Sequence, residues 1–157
     1  MSLTDSSLTL LSYTPELQPY FERFNKAWLN KYFAVEPVDE YVLTQPEAAL
    51  LKDGGAILFA QYQGTVIGCV ALKQLGNGLM ELTKMAVDEN YQGLGGGKFL
   101  CAAAVDRARE LGASRLILYS QSQLGPALAI YRKLGFIDIP LEAGKYKRAD
   151  VMMALDL

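Results

Sequence analysis

Residues 56–87 constrain the fold of this chain more than any other stretch. Three apolar runs, AILFAQY (56–62), TVIGCVALKQL (65–75) and LMELTKMAV (79–87), are separated only by Gln63-Gly64 and by Gly76-Asn77-Gly78. Runs of this kind joined by glycine turns read as a β-hairpin that continues into a third strand.

The flanking segments supply the rest of a mixed domain. LTLLSY (8–13) reads as a short strand. From Pro15 onward, Leu17, Phe21, Phe24, Trp28 and Phe33 recur at helical spacing, with Pro15 suited to a first turn. PVDEYVL and PEAALLK read as short helical pieces ended by the turn Asp53-Gly54-Gly55. Beyond the three strands, residues 97–111 read as a helix closed by Gly112 as a left-handed cap. SRLILYS (114–120) is apolar enough for a central strand. A further helix opens at Gly125-Pro126 and runs through Leu134 to a stop at Gly135. FIDIPL (136–141) and YKRADVMMALDL (146–157) read as two closing strands. The order β-α-α-β-β-β-α-β-α-β-β describes one α/β domain over residues 1–157. It predicts a sheet of about seven strands with helices on both faces.

Composition narrows the chemistry. A chain of 157 residues, 51% hydrophobic and 20% charged, suits one soluble domain with a real core. No apolar run reaches membrane-span length, and MSLTDSSLTLLSY lacks the pattern of a signal peptide, so no membrane is expected and the cytoplasm is the default location. The net charge of −2 and the lack of a basic stripe argue against nucleic acid as a partner. Histidine is absent. That excludes Ser-His-Asp and Cys-His nucleophile arrangements and the usual histidine-based metal sites, so no metal is expected. Cys69 and Cys101 lie in apolar segments and read as small core residues. Catalysis here must use carboxylates, tyrosine, lysine, backbone amides or a cofactor.

The densest signal is Gln92-Gly93-Leu94-Gly95-Gly96-Gly97-Lys98, with four glycines in five positions just before a helix. A helix start exposes unpaired N–H groups at the positive end of the helix dipole, and that combination binds phosphates. The P-loop pattern fails, because Gln92 stands where its first glycine belongs and Phe99 follows the lysine. The dinucleotide fingerprint fails too, since its third glycine would fall on Lys98. Taken alone, a flexible surface loop explains the glycines equally well. What fits is Gln/Arg-x-x-Gly-x-Gly/Ala, set between the strand ending KMAV and a helix, with a strand and AIYRKLGF after it. In this the chain resembles the GNAT superfamily of N-acetyltransferases, from about residue 56 to its end.

The resemblance implies acetyl-CoA as co-substrate. It implies that the amides of Gln92, Gly93, Leu94, Gly95, Gly96, Gly97 and Lys98 hold the pyrophosphate. It further implies that the pantetheine arm pairs with the backbone of Met85, Ala86 and Val87. The activity implied is transfer of an acetyl group to a primary amine of a small molecule or a protein, and a homodimer is compatible with it. A domain of this fold that binds CoA as a sensor or scaffold is the competing reading.

Two side chains are candidates for the chemistry. Tyr131, in AIYRKLGF, stands where many such enzymes place the acid that protonates the CoA sulfur. Its spacing with Leu128 and Leu134 also suits a core residue with a wet hydroxyl. Glu81 is the base candidate, direct or through water, and a solvated glutamate near a strand end is the equal alternative. Alternation puts Glu81 on one face with Leu79, Thr83, Met85 and Val87, and Lys84 on the opposite face with Leu82 and Ala86. A backbone N–H of Met85 or Val87 would hold the carbonyl oxygen. The asparagine usual near the start of the Tyr131 helix is missing: Leu124 stands there, with Gln121 and Gln123 nearby. In WLNKYFAVEPVDEY (28–41), Tyr32, Phe33, Glu36, Asp39 and Glu40 fall where the acceptor would be walled, and none is assigned a role.

Overall fold

The computed structural model describes residues 8–141 and 148–157. The chain runs β1 (Leu8–Ser12), a 3₁₀ turn (Pro15–Leu17), α1 (Gln18–Tyr32), α2 (Pro37–Thr44), a π-helical turn (Glu47–Leu51) and β2 (Ala56–Tyr62). It continues through β3 (Thr65–Gly76), β4 (Leu79–Val87), a 3₁₀ turn (Glu89–Tyr91), α3 (Gly96–Glu110) and β5 (Arg115–Ser120). It closes with α4 (Gly125–Lys133), β6 (Ile137–Ile139) and β7 (Val151–Asp156). The strands form one seven-stranded sheet in the order β1-β2-β3-β4-β5-β7-β6. Among the described residues only β4 and β5 pair in parallel, as the intervening helix α3 requires.

Two apolar layers cover the sheet. On one face Leu58, Val70, Leu72, Met80, Leu82, Leu116 and Leu118 pack against the α3 stripe Leu100, Cys101, Ala104, Val105 and Ala108. On the other face Ile57, Phe59, Cys69, Ala71 and Ala86 meet Phe21, Phe24 and Leu29 of α1 and Leu43 of α2. The central strands therefore read as unbroken apolar runs because both faces are covered. Removing a side chain such as Leu100, which is wholly buried, should cost about 2–5 kcal/mol. Among the described residues, no helix is long and apolar enough to cross a membrane.

The closing strands are shorter than the sequence pattern suggests. FIDIPL supplies only Ile137–Ile139, because Phe136 finishes α4 and Pro140 has no N–H for the ladder. Gly135 (φ +103°) and Phe136 complete a Schellman cap, with Gly135 N–H bonded to Arg132 O at 3.0 Å and Phe136 N–H to Tyr131 O at 3.1 Å. The start of the last predicted strand, at 146–147, falls outside the described residues, and pairing begins at Val151. PEAALLK forms a π-helical turn in place of a regular short helix.

Candidate active site

The site begins where the parallel pair comes apart. β4 and β5 are in register only at Leu79↔Arg115, Met80↔Leu116 and Glu81↔Ile117. β5 stays with β7 along its whole length, from Arg115↔Asp156 to Ser120↔Val151. From Leu82 onward, then, the edge of β4 facing β5 has no strand beside it. On its other edge β4 carries a bulge: Ala71 pairs with Thr83 and Cys69 with Ala86, so three steps on β4 match two on β3. Lys84 lies within it at φ +56°.

The bulge corrects the alternation expected for β4. Glu81 and Thr83 share the register face of Lys73 and Ala71, on the α1 side. Past the extra residue the parity flips, so Met85 and Val87 pack on the α3 side while Ala86 joins the α1 layer. Lys84 is also misplaced by simple alternation. Its Nζ donates to Asp39 Oδ1 of α2 at 2.7 Å, which puts it on the same side as Glu81. Orientation therefore does not remove Lys84 from the site.

A cleft of about 520 Å³ occupies the opening between the strands. Met85, Ala86, Val87, Gln92, Gly93, Gly95, Gly96, Gly97 and Lys98 line it, as do Tyr131 and Glu81. Leu94 is the one candidate that does not; its side chain packs against the α3-side core. Gln121, Gln123 and Leu124 line the cleft where the expected asparagine is missing. The loop before α3 is shaped for an anion. Gly95 caps the helix in the left-handed region (φ +77°), and the first helical bond runs from Phe99 N–H to Gly95 O at 2.9 Å. The amides of Gly96, Gly97 and Lys98 therefore precede the ladder, at the positive end of a 15-residue helix. At Gly97 a Cβ would lie 3.4 Å from Ile130 Cδ1, an ordinary contact, so packing against α4 does not by itself demand glycine there. This loop fits a diphosphate, and the uncovered edge of β4 fits an extended amide-bearing arm.

Tyr131 and Glu81 enter from opposite faces of the sheet. Tyr131 is 7% exposed, belongs to the α3-side core and is held edge-on by Phe136, with ring centroids 5.9 Å apart. The cap at the end of α4 sets that contact, so Tyr131, Gly135 and Phe136 act as one local unit. Burial, and to a lesser degree the nearby Cys101, raises the Tyr131 hydroxyl above its ordinary value, so the phenol stays protonated. It is at once a core residue and a cleft residue. Glu81 is 1% exposed, which overturns the alternative of a solvated glutamate at a strand end.

Beside Glu81 lies a charge cluster, centred on the buried Asp39, that sequence reasoning did not assign. Arg148 Nη1 donates to Glu36 Oε2 at 2.8 Å and to Asp39 Oδ2 at 3.0 Å, and its Nη2 donates to Asp39 Oδ1 at 3.0 Å. Asp39 is fully buried and also accepts from the Glu36 backbone N–H at 3.0 Å. Burial alone would raise its carboxyl, but the bonds from Arg148 and Lys84 outweigh that and hold it below the ordinary value. Burial lowers the Lys84 ammonium despite the opposing pull of Asp39. Two residues past Arg148, Asp150 ties the segment to Ser122, accepting from both Ser122 N–H and Ser122 Oγ–H at 2.7 Å. Trp28, Tyr32 and Phe33, at the end of α1, complete this side of the cleft. A lysine inside the apolar run LTKMAV was the available signal for the cluster; nothing local marks Asp39 or Arg148 as its partners.

Several known proteins resemble this chain. The Acetyltransferase (GNAT) family model matches residues 17–136. A mycothiol acetyltransferase of Sanguibacter keddieii is 32% identical over 124 residues, covering 70% of this chain and 39% of that protein. The chain spans well under half the length of the mycothiol acetyltransferases that it matches. Among solved structures, a GNAT-family acetyltransferase of Staphylococcus aureus superposes with a TM-score of 0.83 at 20% identity, over 95% of this chain and 98% of that one. A Salmonella typhimurium protein solved with its cofactor acetyl-CoA gives 0.76 at 19% identity over 96% and 94%. The two structures speak for the fold, and the family match, which takes in the glycine loop and Tyr131, goes further: this chain belongs to the GNAT family of acetyltransferases.

Proposed function

We propose that the protein transfers the acetyl group of acetyl-CoA to a primary amine within the cleft between β4 and β5. The observation that carries this is the placement of Tyr131 and Glu81 on opposite faces of the sheet, facing one opening that the glycine loop also lines. Acetyl-CoA supplies an acyl group already activated as a thioester. The amides from Gln92 to Lys98 hold its diphosphate, and the backbone of Met85, Ala86 and Val87 aligns its pantetheine arm along the uncovered edge of β4. A backbone N–H of Met85 or Val87 steadies the carbonyl oxygen as negative charge gathers there. Glu81 takes a proton from the incoming ammonium through a water, freeing the nitrogen lone pair for attack. Tyr131 donates a proton to the departing sulfur, and the second proton that the nitrogen sheds on becoming an amide restores the phenol, a return that its raised affinity for the proton favours. Lys84 shares the side of Glu81, but its Nζ is engaged as a donor to Asp39. That leaves Glu81 as the base.

The test is a panel of primary amines incubated with acetyl-CoA, with released CoA read by a thiol reagent. Release above the hydrolysis background with at least one amine is the expected result. Binding of CoA without turnover of any amine or protein amino group would favour a CoA-binding sensor.

A further inference from the structure

The bulge in β4 is held by a carbonyl as well as by a side chain. In its register with β3, β4 skips Lys84 and Met85, so the bulged peptide lies outside the ladder. A carbonyl that loses its ladder partner inside the fold needs another donor. Here that donor is a thiol. Cys69 Sγ–H donates to Lys84 O at 3.6 Å, and Asn25 of α1 donates through Nδ2 to Cys69 Sγ at 3.3 Å. The same Asn25 nitrogen also donates to Phe21 O at 3.0 Å, which ties it to its own helix. Cys69 is wholly buried. Burial pushes its thiol up to about 12 despite the bonds from Asn25 and the Ala86 backbone, so at neutral pH the sulfur keeps the proton that it donates.

This bond fixes the direction of the next N–H. Among the described residues no peptide is cis, so Lys84 C=O and Met85 N–H point in opposite directions across one plane. Cys69 stands on β3, so it draws the carbonyl toward β3 and turns Met85 N–H toward the other edge of β4. That edge is the one that β5 leaves uncovered, and Met85 lines the cleft there. The left-handed conformation of Lys84 (φ +56°) is costly for a residue with a Cβ and needs restraint. Asp39 restrains its side chain from α2, and the thiol restrains its carbonyl.

Building on the acetyl-transfer reading, we propose that Cys69 is a positioning residue whose thiol sets the Lys84–Met85 peptide, making Met85 N–H the donor to the thioester carbonyl. Cys69 lies outside the lining of the cleft and acts through that peptide, with Asn25 steadying the sulfur. The experiment binds acetyl-CoA, isotopically labelled at the acetyl carbonyl, to the wild type, Cys69→Ala, Cys69→Ser and Asn25→Ala. Infrared difference spectra read the thioester carbonyl stretch, with affinity followed by calorimetry and folding by circular dichroism. A donor held on the carbonyl lowers that frequency whether or not an amine is then acetylated. We expect the wild type to lower it and Cys69→Ala to lose about half or more of the shift, with affinity within about threefold. Cys69→Ser keeps a donor and should retain most of the shift, while Asn25→Ala should lose a smaller part than Cys69→Ala. With an amine that is turned over, kcat should follow the same order, Cys69→Ala falling about tenfold. A full shift in Cys69→Ala, an equal loss in Cys69→Ser, or no shift in the wild type overturns the proposal. If Cys69→Ala does not fold, a full shift in Asn25→Ala overturns it instead. Amine turnover with the same carbonyl frequency in all the proteins overturns it while leaving acetyl transfer standing. The expected order of shifts without turnover of any amine supports it and counts against acetyl transfer.

Discussion

The two halves of the cleft are built by different means. The half near α3 is made of backbone: a glycine loop, a helix start and the uncovered edge of β4, all within residues 82–98. The half near α1 is made of side chains from distant segments, with Asp39 meeting Lys84 across 45 positions and Arg148 across 109. On the proposed reading, backbone amides would recognise a group that is the same in every turnover, and side chains could change with the acceptor. The first half depends on local conformation. The second depends on the whole fold, because each charge in it is stable only while its partners are in place.

The largest separation between the halves should come from Tyr131, which packs on the α3 side. Tyr131→Phe keeps the ring against Phe136 and removes only the hydroxyl. Turnover should fall on the order of 10²–10⁴-fold with CoA affinity nearly unchanged. Steady-state kinetics beside a CoA titration decide this, and wild-type turnover would reduce Tyr131 to packing alone.

Breaking the side-chain half should be felt first as stability. Asp39→Ala removes the buried carboxylate that Lys84 and Arg148 share and should cost roughly 3–5 kcal/mol in urea denaturation. The pH dependence follows from the direction of the shift. The Asp39 carboxyl is held below its ordinary 3.8, so the ion is favoured in the folded protein. Its contribution is complete above 3.8 and is lost as pH falls through the lower folded value. Asp39→Asn should flatten the acid limb of the stability profile. An unchanged acid limb in that variant would mean that other carboxylates govern it.

Glu81 probes the boundary between the halves. Glu81→Gln should lower the rate by about tenfold or more at moderate pH, where the amine arrives protonated. The deficit should shrink in alkaline solution, as the amine loses its proton to bulk water. A pH–rate profile overlaying the wild type would show that solvent takes the proton throughout.

The same division explains what the sequence disclosed. The β2–β3–β4 meander, the helix after the glycines and the helix stop at Gly135 are settled by neighbours in the chain, and all could be read there. The bulge at Lys84 could not, because nothing in LTKMAV marks the extra residue; it exists in the pairing with β3. One unforeseen residue was enough to place Met85 and Val87 on the wrong face relative to Glu81. The Asp39–Arg148 contact was equally hidden, since both residues read as ordinary surface charges until the fold brings them together. Burial of Glu81 could be decided only once α1 and α2 covered that face of the sheet.

Calorimetric titration of acetyl-CoA into the wild type and into Gly95→Val tests the central claim most directly. Gly95 is left-handed at φ +77°, with open space where a Cβ would lie. A valine there strains the backbone by about 1–2 kcal/mol without colliding with the core, so the protein should still fold. It should also turn the loop amides away from a shared anion. The expected result is a folded variant, verified by circular dichroism, whose acetyl-CoA affinity has dropped by about tenfold or more. A folded Gly95→Val protein with wild-type affinity would contradict the account and place the cofactor's diphosphate elsewhere.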